Sequence, residues 1–307
     1  MPTAVPGNKA ANLIKLTEAG CNVPPFCWMS LDDCTDEELS AIIDQKLADT
    51  FTNPPDYFAV RSSATSEDGA QQSNAGLFDS QLAIQRDELV ATIKQIADTM
   101  RDRDASGSVI IQAFIPSTAA GVLFTNAGDN TMIIEANHGL CTTVVAGQNT
   151  DQWAMDADGT LTEATITDKK SADQFMDGSI QSTDVSNQPA LSHDQLQQLY
   201  REGKRIETVF GTPQDIEFCF VDDELFILQS RPITHRVVDE VTYYDSATIA
   251  ESYTGIVLPL TFSFANEIYT YVYQDLLVAS GVTRSFVDEH ATVFRNLLGH
   301  FYGHLYY

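Results

Sequence analysis

The stretch DIEFCFVDDELFILQSRP, Asp215 to Pro232, constrains this chain more than any other. Two apolar runs flank a pair of aspartates, so it reads as a β-hairpin. Side chains alternate between faces along a strand, which puts Asp215, Glu217 and Cys219 on one face and Ile216, Phe218 and Phe220 on the other. An odd-length connection centred on Asp223 sets Glu217 opposite Gln229 and Asp215 opposite Arg231. A two-residue turn at Asp222-Asp223 would instead send Glu217 and Gln229 to opposite faces. In the first register two carboxylates, an amide oxygen and a guanidinium share a face backed by apolar side chains. Mg2+ takes few protein oxygens and fills its remaining positions with water and phosphate oxygens, which suits Glu217 and Gln229. Arg231 suits a phosphate through a charge-assisted pair. For a hairpin standing alone, a merely solvated polar face is the commoner outcome, so the rest of the chain has to decide.

Charge sharpens the question. With 43 acidic and 17 basic residues the net charge is -26, which argues against a nucleic-acid partner, because such surfaces neutralise phosphates with Lys and Arg. Any polyanion this chain handles must be held by cations collected locally. Three sit beside phosphate-compatible chemistry. Lys9 in GNKAANL stands where a loop enters a helix and backbone N–H groups face outward. Arg61 ends the apolar run Tyr57–Val60 and precedes Ser62, Ser63 and Thr65 in a hydroxyl-rich loop. Arg231 is in the hairpin. Each alone is weak; together, in so acidic a chain, they outweigh the bland readings.

The length of 307 residues predicts two lobes or domains, and 43% hydrophobic residues supply a sizeable core. There is no apolar run of membrane-spanning length and no signal-peptide pattern at the start, so the expectation is a cytoplasmic protein with no membrane partner. Five cysteines without CxxC spacing predict free thiols, with neither a disulfide nor a structural zinc. Helical spacing is expected over Lys9–Ala19 and Asp87–Arg103, and a capping box at Ser192 and Gln195 opens a helix whose apolar face runs from Leu196 to Ile206. A charged break at Arg101–Ser108 suggests a lobe boundary, giving a first lobe over 1–104 and a second over 105–235. The second would open with strands Val109–Ile115, Gly121–Thr125 and Met132–Glu135, and a hairpin with exposed loops would fill Asp156–Pro189. The class is α+β, two-lobed, with mostly antiparallel sheets.

Five ordered segments now carry a resemblance: GNKAANLIKLTEAGCNVPPFC, FAVRSSATSEDGAQQSNAGLFDSQL, VIIQAFIPSTAAGVLFT, MIIEANHGLCTTVVAGQNTDQWAMD and QDIEFCFVDDELFILQSRPIT. The chain resembles the N-terminal nucleotide-binding domain of the pyruvate phosphate dikinase and phosphoenolpyruvate synthase family, which includes rifampicin phosphotransferases. The resemblance implies an ATP-grasp fold with ATP and Mg2+ between the lobes. It makes Lys9, Arg61 and Arg231 phosphate ligands, Glu217 and Gln229 the metal ligands, and Asp215 a support beside Glu217. Ser62 would join the phosphate loop and Gln112 would lie near the adenosine. The implied chemistry splits ATP and passes a phosphoryl group through a histidine on a separate swivelling domain to an acceptor-binding domain. An ADP-forming ATP-grasp ligase and a non-catalytic ATP sensor are the alternatives.

Three positions depart from the family pattern. Asn8 and Cys141 stand where glycine is common, and His138 where an aromatic is common; Cys141 would strain a backbone that needs positive φ. After Thr234, residues 236–307 resemble the linker and opening helix that follow the ATP domain, and no phosphohistidine motif of the TGGxxSHxA kind occurs. The chain is therefore expected to be part of a longer protein. His300 and His304 read as incidental.

Overall fold

The computed structural model describes residues 5–35, 38–65, 80–103, 105–145, 150–169, 171–185, 188–233, 259–289, 299–301 and 304–306. The chain divides into two compact units, Met1–Asp239 and Glu240–Tyr307.

The first unit holds both lobes. Helix α1 (Gly7–Glu18), strand β1 (Phe26–Ser30), helix α2 (Leu39–Thr50), strands β2 (Tyr57–Ala64) and β3 (Ser80–Gln85), helix α3 (Leu89–Asp102) and strand β4 (Gly107–Ala113) come first. Their strands form an antiparallel sheet in the order β1-β4-β2-β3. One face packs on α2 and α3: Ile43, Leu47, Ile93, Ile96 and Met100 meet Phe58, Val60, Val109 and Ile111. Next come β5 (Ala119–Phe124), β6 (Met132–His138), α4 (Thr142–Val145), β7 (Asp151–Met155), β8 (Leu161–Thr165), β9 (Ser171–Met176), β10 (Ser179–Asp184), α5 (His193–Phe210), β11 (Gln214–Val221) and β12 (Glu224–Pro232). Six of these strands make a second antiparallel sheet in the order β12-β11-β5-β6-β7-β8, while β9 and β10 pair separately. Leu196, Leu199 and Ile206 of α5 cover Ile134, Ile216, Phe218 and Phe220, and Ala10, Leu13 and Leu16 of α1 join the same core. Each such Leu, Ile or Phe side chain contributes about 1.5–3 kcal/mol on burial.

The α+β class, the capping box at Ser192 and Gln195, and the antiparallel sheets appear as expected. Two expectations need correction. The strand assigned to the opening of the second lobe is β4, an interior strand of the first sheet, paired with β1 on one side and β2 on the other. Five consecutive buried residues, Ser108–Gln112, reflect cover on both faces. The charged break marks the end of α3, and the chain crosses between sheets only after Ala113, so the division at residue 104 moves. Likewise β2 continues through Ser62, Ser63 and Ala64 rather than ending at Arg61, because those residues pair with Val109, Ser108 and Gly107 of β4. Residues 66–79 of the hydroxyl-rich loop lie outside the described residues.

Asp151 at the start of β7 and Lys169 just before β9 form a fully buried ion pair. The ammonium donates to both carboxylate oxygens at 2.6 and 2.7 Å, and the backbone N–H groups of Thr167 and Ala190 donate at 2.9 and 2.8 Å. One carboxylate thereby ties β7 to the segments that lead into β9 and α5.

The thiols of Cys21, Cys27, Cys34 and Cys219 are buried and free. Burial pushes Cys34 and Cys219 up to about 12, and burial together with Glu202 pushes Cys21 up to about 11, from an ordinary 9.0. A thiol that holds its proton more tightly when folded adds stability below the unfolded value and loses it as the pH climbs through the folded one. Urea midpoints should therefore stay level from neutral pH to about 9 and fall steadily from about 9 to about 12; a midpoint that stays level to 11 would rule this out.

In the second unit, helices α6 (Pro259–Ala279) and α7 (Arg284–Glu289) precede a hairpin of β13 (Gly299–Phe301) and β14 (His304–Tyr306). Of the anticipated linker and following segment over 236–307, residues 236–258 lie outside the described residues. His300 and His304 belong to the two strands of that hairpin, where Phe301 pairs with His304. Among the described residues no helix is long and apolar enough to cross a membrane.

Candidate functional site

The β11–β12 hairpin resolves its two possible registers in an unexpected way. Val221 pairs with Glu224, so the connection is the two-residue turn Asp222-Asp223, with Asp222 at φ 53°. That turn alone would separate Glu217 from Gln229. A β-bulge intervenes: Phe218 pairs with Ile227, but Glu217 pairs with Gln229, leaving Leu228 as the extra residue. The additional residue shifts the alternation by one and returns Asp215, Glu217, Gln229 and Arg231 to one face. Ile216, Phe218 and Phe220 point the other way, into the α5 core.

On that face the charges pair. Arg231 donates through Nε and Nη2 to Asp215 Oδ2, each at 2.8 Å. Glu217 Oε2 accepts from Arg61 Nη1 at 3.2 Å, across the gap between the two sheets. Gln229 is buried beside this pair. Arg61 Nε is also buried without a partner. An orphaned donor beside two carboxylate–guanidinium pairs suits an anion accompanied by a cation.

The N-terminus of α1 reaches the same place. Gly7, at φ +72°, lies so close to β2 that a Cβ would stand 1.9 Å from the Ser63 carbonyl oxygen. Ser63 Oγ accepts from Ala10 N at 3.0 Å and donates to the Pro6 carbonyl at 2.8 Å. Asn12 Nδ2 donates to the Ser230 carbonyl at 2.8 Å, tying α1 to β12 next to Arg231. Lys9, one turn before Asn12, is carried on this bridging helix. The special backbone falls at Gly7, so Asn8 is helical and its amide donates to the Thr65 carbonyl at 3.1 Å. Cys141 has no positive φ among the described residues, and the expected strain there is absent.

Ser62 requires a correction. Arg61, Ser63 and Ala59 share one face of β2, while Ser62 lies on the other with Phe58, Val60 and Ala64, facing the α2–α3 core at 1% exposure. Its hydroxyl is turned away from the cleft, and Ser63 is the hydroxyl on the Arg61 side. Counting parity from Arg61 along a strand extended by two residues would have found it. Gln112, paired with Ala59, does reach the cleft: its amide lies 3.5 Å from the Pro24 carbonyl, and it lines a narrow cavity of about 40 Å3.

That cavity is walled by Ala59, Arg61, Gln112, Phe114, Leu140, Cys141 and the bulged Leu228. Sequence reasoning did not place Leu228 or Phe114 there, because neither the bulge nor the crossing after β4 has a local signal. Burial pushes the Cys141 thiol well up, with Glu217 raising it further and Arg61 opposing, so this thiol stays protonated beside the charged cluster.

A family model described as pyruvate phosphate dikinase, AMP/ATP-binding domain, matches residues 29–247. The chain is 30% identical over 263 residues to the prodigiosin synthesizing transferase PigC of Serratia marcescens, covering 73% of this chain and 30% of that protein. It is 32% identical to a probable phosphoenolpyruvate synthase of Archaeoglobus fulgidus, covering 58% and 27%, and 34% identical to a rifampicin phosphotransferase of Bacillus cereus, covering 58% and 23%. The chain thus spans less than a third of the length of each of these relatives. A solved D-alanine–D-alanine ligase from Helicobacter pylori aligns over 74% of this chain and 54% of that one, at 13% identity and a TM-score of 0.41. With the family match covering most of its length, the chain belongs to the pyruvate phosphate dikinase AMP/ATP-binding domain family.

Proposed function

We propose that this chain is the ATP- and Mg2+-binding part of a dikinase-type phosphotransferase, built as an ATP-grasp domain, which hands a phosphoryl group to a histidine on a separate swivelling domain and thence to an acceptor. The observation that carries the reading is the convergence of Arg61 and Arg231 on Glu217, Asp215 and Gln229 in a chain with so few cations. Arg61 and Arg231 bind and orient the phosphates, with Lys9 at the α1 N-terminus completing the cationic side. Glu217 and Gln229 hold Mg2+, for which the residues fit: both carry hard oxygens on neighbouring strands, and so small a protein donor set leaves positions for phosphate oxygens. Bound there, Mg2+ supplies positive charge against the phosphates. Asp215 fixes the Arg231 fork, and Gln112 with the apolar cavity walls receives the nucleoside. Transfer of a phosphoryl group asks for positioning and charge stabilisation, which this set provides without a nucleophile of its own. The free thiols accord with a cytoplasmic setting.

Calorimetric titration of ATP into this chain, with Mg2+ and with EDTA, tests the binding; heat that depends on the metal is expected. In the whole protein the product nucleotide then decides the chemistry. AMP supports the dikinase, whereas ADP alone would assign the site to a ligase-type reaction.

A further inference from the structure

The β9–β10 hairpin belongs to neither large sheet, yet it holds together the elements that wall the cavity. Asp173 secures the loop after β6: its backbone carbonyl accepts from Leu140 N at 2.8 Å, and its carboxylate accepts from Thr142 Oγ1 at 2.8 Å. Two residues on, the Phe175 ring packs edge-on against Tyr57 of β2, with centroids 4.8 Å apart, and against Phe114 beyond β4, at 5.0 Å. The turn of the hairpin meets the same tyrosine, since a Cβ on Gly178 would stand 2.8 Å from the Tyr57 hydroxyl. Leu140 and Phe114 both line the cavity, and Tyr57 leads into Ala59 and Arg61, which also line it. The hairpin therefore joins the second-lobe wall to the first-lobe wall.

We propose that β9–β10 is a clasp that sets the grip of the site on the nucleoside, with Phe175 as its positioning residue; this rests on the ATP-site reading above. The cavity of about 40 Å3 is far smaller than the roughly 300–1,000 Å3 of small-molecule sites, so an entering base must part the walls. What holds a planar base afterwards is the restoring contact between those walls. Phe175 supplies it without touching the ligand, through its two edge-on aromatic contacts. At the phosphate end, Arg231 and Lys9 stand on β12 and α1, outside the clasp, and Arg61 stands four positions beyond Tyr57 on β2, held by Glu217 rather than by Phe175.

The test uses Phe175→Ala, with Phe175→Tyr as the conservative variant, in binding titrations with Mg-ATP and with Mg-tripolyphosphate, which has no base. Release of a fluorescent ATP analogue is followed by stopped flow. Phe175→Ala should weaken ATP at least tenfold, mainly through faster release, leave tripolyphosphate within twofold of the parent, and be restored by Phe175→Tyr. Unchanged ATP affinity, tighter ATP binding, or equal weakening of both ligands would overturn the clasp. Failure of the parent itself to bind ATP would remove the ATP-site reading and the clasp with it, an outcome distinct from a parent that binds and a variant that does not differ.

Discussion

Arg231→Ala is expected to weaken Mg-dependent ATP binding by at least about thirtyfold. The guanidinium reaches the hairpin face through two contacts to Asp215 Oδ2 at 2.8 Å, and the pair is largely shielded, at 25% and 13% side-chain exposure. Truncation removes a proposed phosphate ligand and leaves Asp215 charged without this partner, so both consequences disfavour an incoming anion. Losing the protein's member of a shielded guanidinium–phosphate pair costs about 2–5 kcal/mol, or roughly 30- to 4,000-fold in affinity. Glu217→Ala should behave differently. It should lose the Mg2+-dependent part of binding, while binding in EDTA holds or improves, because Arg61 is released from its 3.2 Å contact with Glu217. Isothermal titration of both variants in both buffers reads this directly. A loss for Arg231→Ala under threefold would place the phosphates elsewhere.

The largest effect on stability is expected far from the cleft. Lys169→Met should lower the unfolding free energy by about 3–5 kcal/mol, since it leaves the Asp151 carboxylate buried at 0% exposure without its counter-charge. For a unit of this size that is roughly a 10 °C fall in melting temperature. Adding Asp151→Asn should recover part of the loss. The buried charge is then gone and the amide oxygen keeps one of the two backbone bonds, while the other donor, of Thr167 or Ala190, loses its acceptor, so the recovery is partial. Thermal and urea unfolding of the single and double variants provide the comparison. A single variant within 1 kcal/mol of the parent would mean that the site relaxes or admits water.

What was legible in the chain was local. The helical spacing of Leu89, Ile93, Ile96 and Met100 marks the buried face of α3, and the capping box at Ser192 marks the start of α5. Alternation in Asp215–Pro232 separated the polar face of the hairpin from its apolar one, and acidity made Arg61 and Arg231 conspicuous. Three features were not legible. The register of Glu217 against Gln229 depends on the bulge at Leu228, which compensates a two-residue turn that would otherwise have split the site. The membership of β4 depends on which strands flank it. The side on which Ser62 falls depends on how far β2 continues, and that follows from pairing with Val109 and Ser108 rather than from the hydroxyl-rich composition after Arg61.

The identity and spacing of the charged side chains are read from the residues alone, and with them the ligand class proposed for this chain, a polyanion with a hard cation, because charge and donor type belong to residues and survive any rearrangement of the backbone. Folding adds that Arg61 meets Glu217 across 156 positions of sequence, that Ser63 rather than Ser62 stands on the Arg61 side, and that Phe175 joins the two walls of the cavity. Those relations are set by strand pairing and core packing between distant segments, where a one-residue shift reverses a face, and no window of local sequence contains both partners.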